Sequence, residues 1–119
     1  MDIGGKQLDP LTRLLDASSL RGRVIQGNLA NLNTPGFKRR LVRFEDQLVA
    51  TMSRDPQRAE ALQPEVTTDE LTAGNPDGNN VNMELEMNAM RENRLTYETY
   101  ASILEGNLNL IDAAIREGH

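Results

Sequence analysis

Ten residues in the C-terminal third of the chain, Met83, Met87, Met90, Arg94, Tyr97, Ala101, Leu104, Leu108, Ile111 and Ile115, follow one another at steps of 4, 3, 4, 3, 4, 3, 4, 3 and 4. A seam held over so many steps predicts a helix with coiled-coil periodicity over about 82–116. Ile103, Leu110 and Ala114 widen the stripe towards its end. Asn82 supplies an N-cap, and Glu84 and Glu86 place negative charge in the first turn. A helix of this length runs roughly 50 Å. That is too long to fold back on a core of its own, so it calls for a partner along its length.

Composition points the same way. The chain has 119 residues, of which 38% are hydrophobic, against about 45–50% in ordinary globular domains. Its aromatics are Phe37, Phe44, Tyr97 and Tyr100. One small mainly α unit is expected: an elongated antiparallel pair of terminal coiled-coil helices, a turn-rich middle and one short helix. The absence of Cys excludes a disulfide framework, a thiol nucleophile and a Cys-ligated zinc site. The single His, His119, leaves no imidazole for acid–base chemistry in an ordered pocket. No enzymatic activity, cofactor, metal or small-molecule substrate is expected.

Segments 1–33, 34–80 and 81–119 divide the chain. In the first, Asp9 and Pro10 read as an N-cap and first position of a helix over about 8–32. Leu11, Leu14, Ser18, Arg21, Ile25, Asn28 and Leu32 form its seam, with Leu15, Val24 and Leu29 beside it. On this reading all five prolines lie outside helix interiors. Gly22 and Gly27 mark either a marginal helix or a close approach by another helix. Thr34 stands before Pro35 and leaves the α region. Pro35 and Gly36 suit the two central positions of a type II turn, after which Phe37 folds back onto the helix end.

Phe44, Leu48 and Met52 recur every four residues and predict a short amphipathic helix near 44–53. Residues 55–80 read as a connector, with a short strand at Glu65-Val66-Thr67-Thr68 and dense turn chemistry over 75–80. Asn75, Asp77, Gly78 and Glu84 have calcium-loop spacing, but the first ligand position falls on Ala73. A turn ahead of a helix cap accounts for them.

Charge is unevenly placed: residues 1–43 carry a net +5 and residues 44–119 a net −10. Two such halves attract each other, or the opposite half of a neighbouring copy. The basic run Lys38-Arg39-Arg40-Leu41-Val42-Arg43 could bind phosphate, but so acidic a chain is a poor nucleic-acid ligand. The run is expected to be solvated or to face an interface. Glu84, Glu86, Glu92 and Glu98 are expected on a solvated helix face. Met83, Met87 and Met90 suit an adaptable contact with non-identical neighbours. No stretch is apolar enough to span a membrane, and no Sec-type signal is read at the N-terminus.

Asn28-Leu29-Ala30-Asn31-Leu32-Asn33-Thr34-Pro35-Gly36-Phe37-Lys38 closely resembles the N-terminal signature of the bacterial flagellar rod and hook proteins. Asp77-Gly78-Asn79-Asn80-Val81-Asn82-Met83-Glu84-Leu85-Glu86, leading into a heptad helix, resembles the short proximal-rod members of that family. The likeness covers both ends of the chain and leaves about 45–75 unmatched. Asn82 stands where an acidic residue is usual, and Gly22 and Gly27 are less usual. The resemblance implies a structural subunit that polymerises through its terminal helices into a torque-transmitting hollow shaft. It implies partners: further copies, other proximal and distal rod subunits, the adaptor at the rod base on the MS ring, and the flagellar type III export apparatus. It also implies export without a cleaved signal and a place in the basal body where the rod crosses the periplasm. The interface residues expected on this reading are Leu14, Ile25, Asn28, Leu29, Asn31, Leu32, Asn33, Thr34, Pro35, Gly36, Phe37, Met87, Met90, Tyr97, Ala101, Leu104, Leu108, Ile111 and Ile115. A cytoplasmic helical adaptor or export chaperone is the alternative; it accounts for the acidic heptad helix but not for the Asn-rich Thr-Pro-Gly motif.

Overall fold

The seam periodicities produce two long helices, α1 (Ile3–Ala30) and α4 (Met83–Glu117), in a computed structural model that describes residues 3–117. Between them lie β1 (Arg40–Arg43), α2 (Glu45–Arg54), α3 (Pro56–Glu60) and β2 (Glu65–Thr68). The fold is mainly α, and the molecule measures 67 × 29 × 15 Å. Asn28 of α1 meets Glu86 of α4, and the Ser18 carbonyl meets Asn93. Contact positions rise along one helix as they fall along the other, so the two run antiparallel.

α1 differs from its expected start. It begins at Ile3 and carries Pro10 inside it, so Asp9-Pro10 is not its opening. A capping pair is a local signal, and tertiary context overrides local propensity. The α1 seam otherwise turns inward as its spacing predicts. Ser18, Ile25 and Asn28 are buried, with Leu14 and Arg21 half-buried. Gly22 sits under α4, where a Cβ would stand 3.4 Å from Asn93 Nδ2; Gly27 faces open space. The first glycine therefore marks a close approach and the second does not.

α4 starts where its cap signal places it. Asn82 Oδ1 accepts from the Leu85 N–H at 3.1 Å, and Glu84 and Glu86 lie in the first turn. At 35 residues it is about 52 Å long. α2 forms on the Phe44, Leu48, Met52 spacing. Phe44 and Leu48 pack with Ala17 and Ala59 into a small core that Leu14 and Leu62 border. Met52, at the end of the spacing, stays half exposed. α3 lies in the stretch read as connector, capped by Asp55, whose carboxylate accepts from the Gln57 and Arg58 N–H groups.

The strand at Glu65–Thr68 forms, and its partner is the basic run. β1 pairs antiparallel with β2, Arg40 opposite Thr68 and Arg43 opposite Glu65. Of the β1 side chains only Val42 is buried. Two arginines at the strand ends conceal its β character in the sequence.

Candidate assembly interface

The two sequence signatures lock onto each other. Pro35 and Gly36 form the type II turn that their order predicts: Gly36 has φ 75° and the Phe37 N–H bonds back to the Thr34 carbonyl at 3.2 Å. The Gly36 N–H donates to the Asp77 carbonyl at 2.9 Å, and the Asn80 N–H to the Phe37 carbonyl at 3.2 Å. Gly78, at φ 88°, lies against the Gly36 backbone; a Cβ there would be 3.4 Å from the Gly36 Cα. Both glycines hold left-handed backbone that other residues rarely adopt, and that conformation rather than space is what the turn demands of them.

Asn79 closes the end of α1. Its Nδ2 lies 2.8, 3.1 and 2.8 Å from the carbonyls of Asn31, Leu32 and Thr34. These carbonyls run off the helix C-terminus and have no helical partner of their own. Asn80 accepts from the Arg39 N–H at 2.6 Å and donates to the Asp69 carbonyl at 2.8 Å. Asn28 pairs with both backbone groups of Arg40, at 3.0 and 2.9 Å, as a neighbouring strand would. Both amides of the Asp-Gly-Asn-Asn stretch are buried, so each must find partners or cost stability.

An ion network lies beneath this junction. Glu86 is fully buried, which corrects its expected place on a solvated face. Arg39 Nε donates to one of its oxygens at 2.6 Å and Asn28 Nδ2 to the other at 3.3 Å. Arg39 Nη1 donates to Asp69 at 3.0 Å. The hydroxyl and N–H of Thr72, then Arg39, hold the Asp69 carboxyl far below the usual carboxylate range. Burial lowers the Arg39 guanidinium, but the hydrogen bonds and charges of Glu86 and Asp69 together outweigh it and raise it above its ordinary value. Arg39, read as one member of a solvated or interface-facing run, is thus an internal ion. Arg21 makes a second bridge, to Glu45 at 2.7 Å and to the Val42 carbonyl at 3.1 Å.

The residues expected at an interface fall into three groups. Leu14, Ile25, Asn28 and Asn31 turn towards the chain's own partners, with Leu29, Leu32 and Phe37 half-buried around them. Asn33, Thr34, Pro35 and Gly36 are exposed at the tip. On α4, Met90, Ala101, Leu104 and Ile111 are half-buried, whereas Met87, Tyr97, Leu108 and Ile115 stand out 37%, 44%, 48% and 60% exposed. The inward side of α4 is mixed: Glu86, Asn93, Thr96 and Asn107 stand among Ala89, Met90, Tyr100, Ala101, Leu104 and Ile111. The apolar heptad stripe is therefore rotated partly off the intramolecular contact. Sequence reasoning missed Arg39, Asp69 and Glu86. In the sequence Arg39 and Glu86 read as solvated or interface-facing and Asp69 carries no reading, and nothing local to any of the three signals the pairing.

A helical hairpin closed at one end by a polar junction, with an apolar stripe left along its outer side, defines a structural protein. The chain matches no family model. It is 32% identical to the flagellar basal body rod protein FlgB of Aquifex aeolicus over 101 residues, 81% of this chain and 82% of that one. It is 29% identical to that of Borrelia hermsii over 98% of this chain and all of the relative, and 22% identical to that of Bacillus subtilis over 99% of both. The chain belongs to the flagellar basal body rod protein FlgB family. Nothing in these relationships favours the adaptor or chaperone alternative.

Proposed function

We propose that the chain is a subunit of the proximal flagellar rod and polymerises through the outer stripe of α4 and the exposed Thr34-Pro35-Gly36 tip. The carrying observation is the exposure of Met87, Tyr97, Leu108 and Ile115 on a helix whose inward side is already occupied by Met90, Ala101, Leu104 and Ile111. Isolated exposed apolar residues are ordinary, but a periodic row on one face of a long helix suits a second helix. Copies packed side by side bury the row, and repetition builds a shaft that carries torque. The partners on this reading are further copies, the other proximal and distal rod proteins and the adaptor on the MS ring. The export apparatus delivers the chain without a cleaved signal to the place where the rod crosses the periplasm.

The test is complementation of a strain lacking the gene with the full chain carrying a small internal tag at the exposed Gln63. Restored swimming, with the tag in purified basal bodies, is the expected result. A tag that stays in the cytoplasmic fraction, bound to another exported protein while rods still form, would establish the adaptor reading instead.

A further inference from the structure

Between the last turns of α1 and the small sheet lies a groove of about 430 Å³. Val24, Phe37 and Val66 supply its apolar surface, Arg23 and Arg40 its charge, and the bare backbone of Gly27 its opening. No carboxylate lines it among the described residues. Arg40 lies over the Phe37 ring, 5.9 Å from its centre, and both arginines are exposed without an ion pair among the described residues.

The opposite end of the molecule has the complementary chemistry. The last turns of α4 expose Leu108, Leu110 and Ile115 at 48%, 71% and 60%. Glu105, Asp112 and Glu117 accompany them, and the single base, Arg116, is already bridged to Asp112. Leu110 lies 24 residues beyond Glu86, which marks the groove end of the hairpin. At the helical rise that is about 36 Å, so a rigid α4 cannot bring its own tip into its own groove.

We propose that the acidic, apolar tip of α4 in one copy docks in the Arg23–Gly27–Arg40 groove of the next. The inference rests on the rod-subunit reading and assigns its head-to-tail contact. Groove and tip are different surfaces at opposite ends, so the contact is heterologous and extends into a filament. Opposite charge on the two surfaces sets the polarity of addition, because tip against tip and groove against groove repel. The division of the sequence into a basic first part and an acidic remainder then has a role in orienting subunits.

The chain has no cysteine of its own, so a Gly27→Cys/Leu110→Cys double variant reports this contact directly. A disulfide needs Cα atoms within about 7 Å, which the two sites cannot reach within one copy. Basal bodies from cells making only this variant, mildly oxidised and run without reductant, are expected to give a ladder of dimers, trimers and higher species. Each single variant should give dimers at most. Intact rods with no ladder overturn the docking contact while leaving the rod-subunit reading in place; absence of the tagged, unsubstituted chain from basal bodies is what would end that reading. If the cysteine variant builds no rods, the arginines decide. Arg23→Lys/Arg40→Lys should swim normally, and Arg23→Glu/Arg40→Glu should incorporate at least about ten-fold less. Normal incorporation of the glutamate variant overturns the proposal.

Discussion

The two ends of this hairpin solve the same problem in opposite ways. At the junction end, Asn28, Asn79, Asn80, Arg39 and Glu86 are buried or half-buried and find their partners within the chain. Along the outer side of α4, Met87, Tyr97, Leu108 and Ile115 are 37–60% exposed. Polar groups hold their own chain together where they are dry, and apolar groups face outward. That inversion is stable only if the polar junction is fully satisfied and the apolar row is covered later. The junction therefore governs folding and the outer stripe governs assembly, and substitutions should separate the two.

The largest effect is expected at the stripe. Leu108 is half exposed, so Leu108→Asp should leave the unfolding free energy of the isolated chain within about 0.5 kcal/mol. In an assembly it would lose about 1.5–3 kcal/mol of burial and bring a carboxylate into an apolar contact, in every copy. Incorporation into rods should fall to near zero with secretion spared, as read by motility and electron microscopy of basal bodies. Glu98→Lys, exposed and off the row, should be much milder. Equal defects from the two would mean that the row is not the contact.

The junction should show the converse pattern. Glu86→Ala removes the fully buried partner of Arg39 and Asn28. The cost is about 1–3 kcal/mol, because Asn28 loses a buried acceptor while Arg39 keeps Asp69 as its counter-ion. Urea unfolding followed by circular dichroism should register that loss in the isolated chain. A midpoint like that of the unsubstituted protein would show that the network does not hold the fold. Any assembly defect should then track the loss of folded protein.

These two halves also differ in how legible they are. Helix spacing is local, so the α1 seam, the Asn82 cap, the Pro35-Gly36 turn and the strand at Glu65–Thr68 could all be read from neighbours in the chain. The bonds between the two signatures join residues 40–58 apart, such as Asn79 to Thr34 and Asn28 to Glu86. Each half had a pattern, but nothing local says that the two patterns touch. Glu86 is a clear case. In the first turn of a helix a Glu reads as dipole stabilisation, and only Arg39 arriving from β1 makes it an internal ion. The stripe shows the opposite error: its period is right, but the period alone does not say whether α1 or a neighbouring copy covers it.

The turn offers a smaller test that stays within the junction. Gly36 adopts φ 75°, and a Cβ there would meet nothing within 4 Å. Its requirement for glycine is therefore conformational. Gly36→Val should cost at least about 1–2 kcal/mol for a left-handed conformation and misaim Phe37; Gly36→Asn should cost less, since Asn tolerates that region. Chemical denaturation of the three proteins gives the order. If Val is tolerated as well as Asn, the turn does not constrain the chain as proposed.

Asp69 carries the smallest effect, because it emerges only in acid. Hydrogen bonds from the Thr72 hydroxyl and N–H, then from Arg39, hold its folded carboxyl well below the ordinary value of 3.8. The unfolded chain therefore takes up this proton at a higher pH than the folded one. The stabilisation is fully present above about pH 4 and is lost as the pH falls towards the folded value. Other carboxylates titrate in the same window, so the measurement is a difference. Denaturant midpoints from about pH 6 down to about pH 3 should fall more steeply for the unsubstituted chain than for Asp69→Asn, which has no carboxyl to protonate there. The two curves should draw closer towards about pH 3 without meeting, because most of the loss lies nearer the folded value. Parallel curves would place the acid sensitivity elsewhere and leave Glu86, rather than Asp69, as the partner that matters to Arg39.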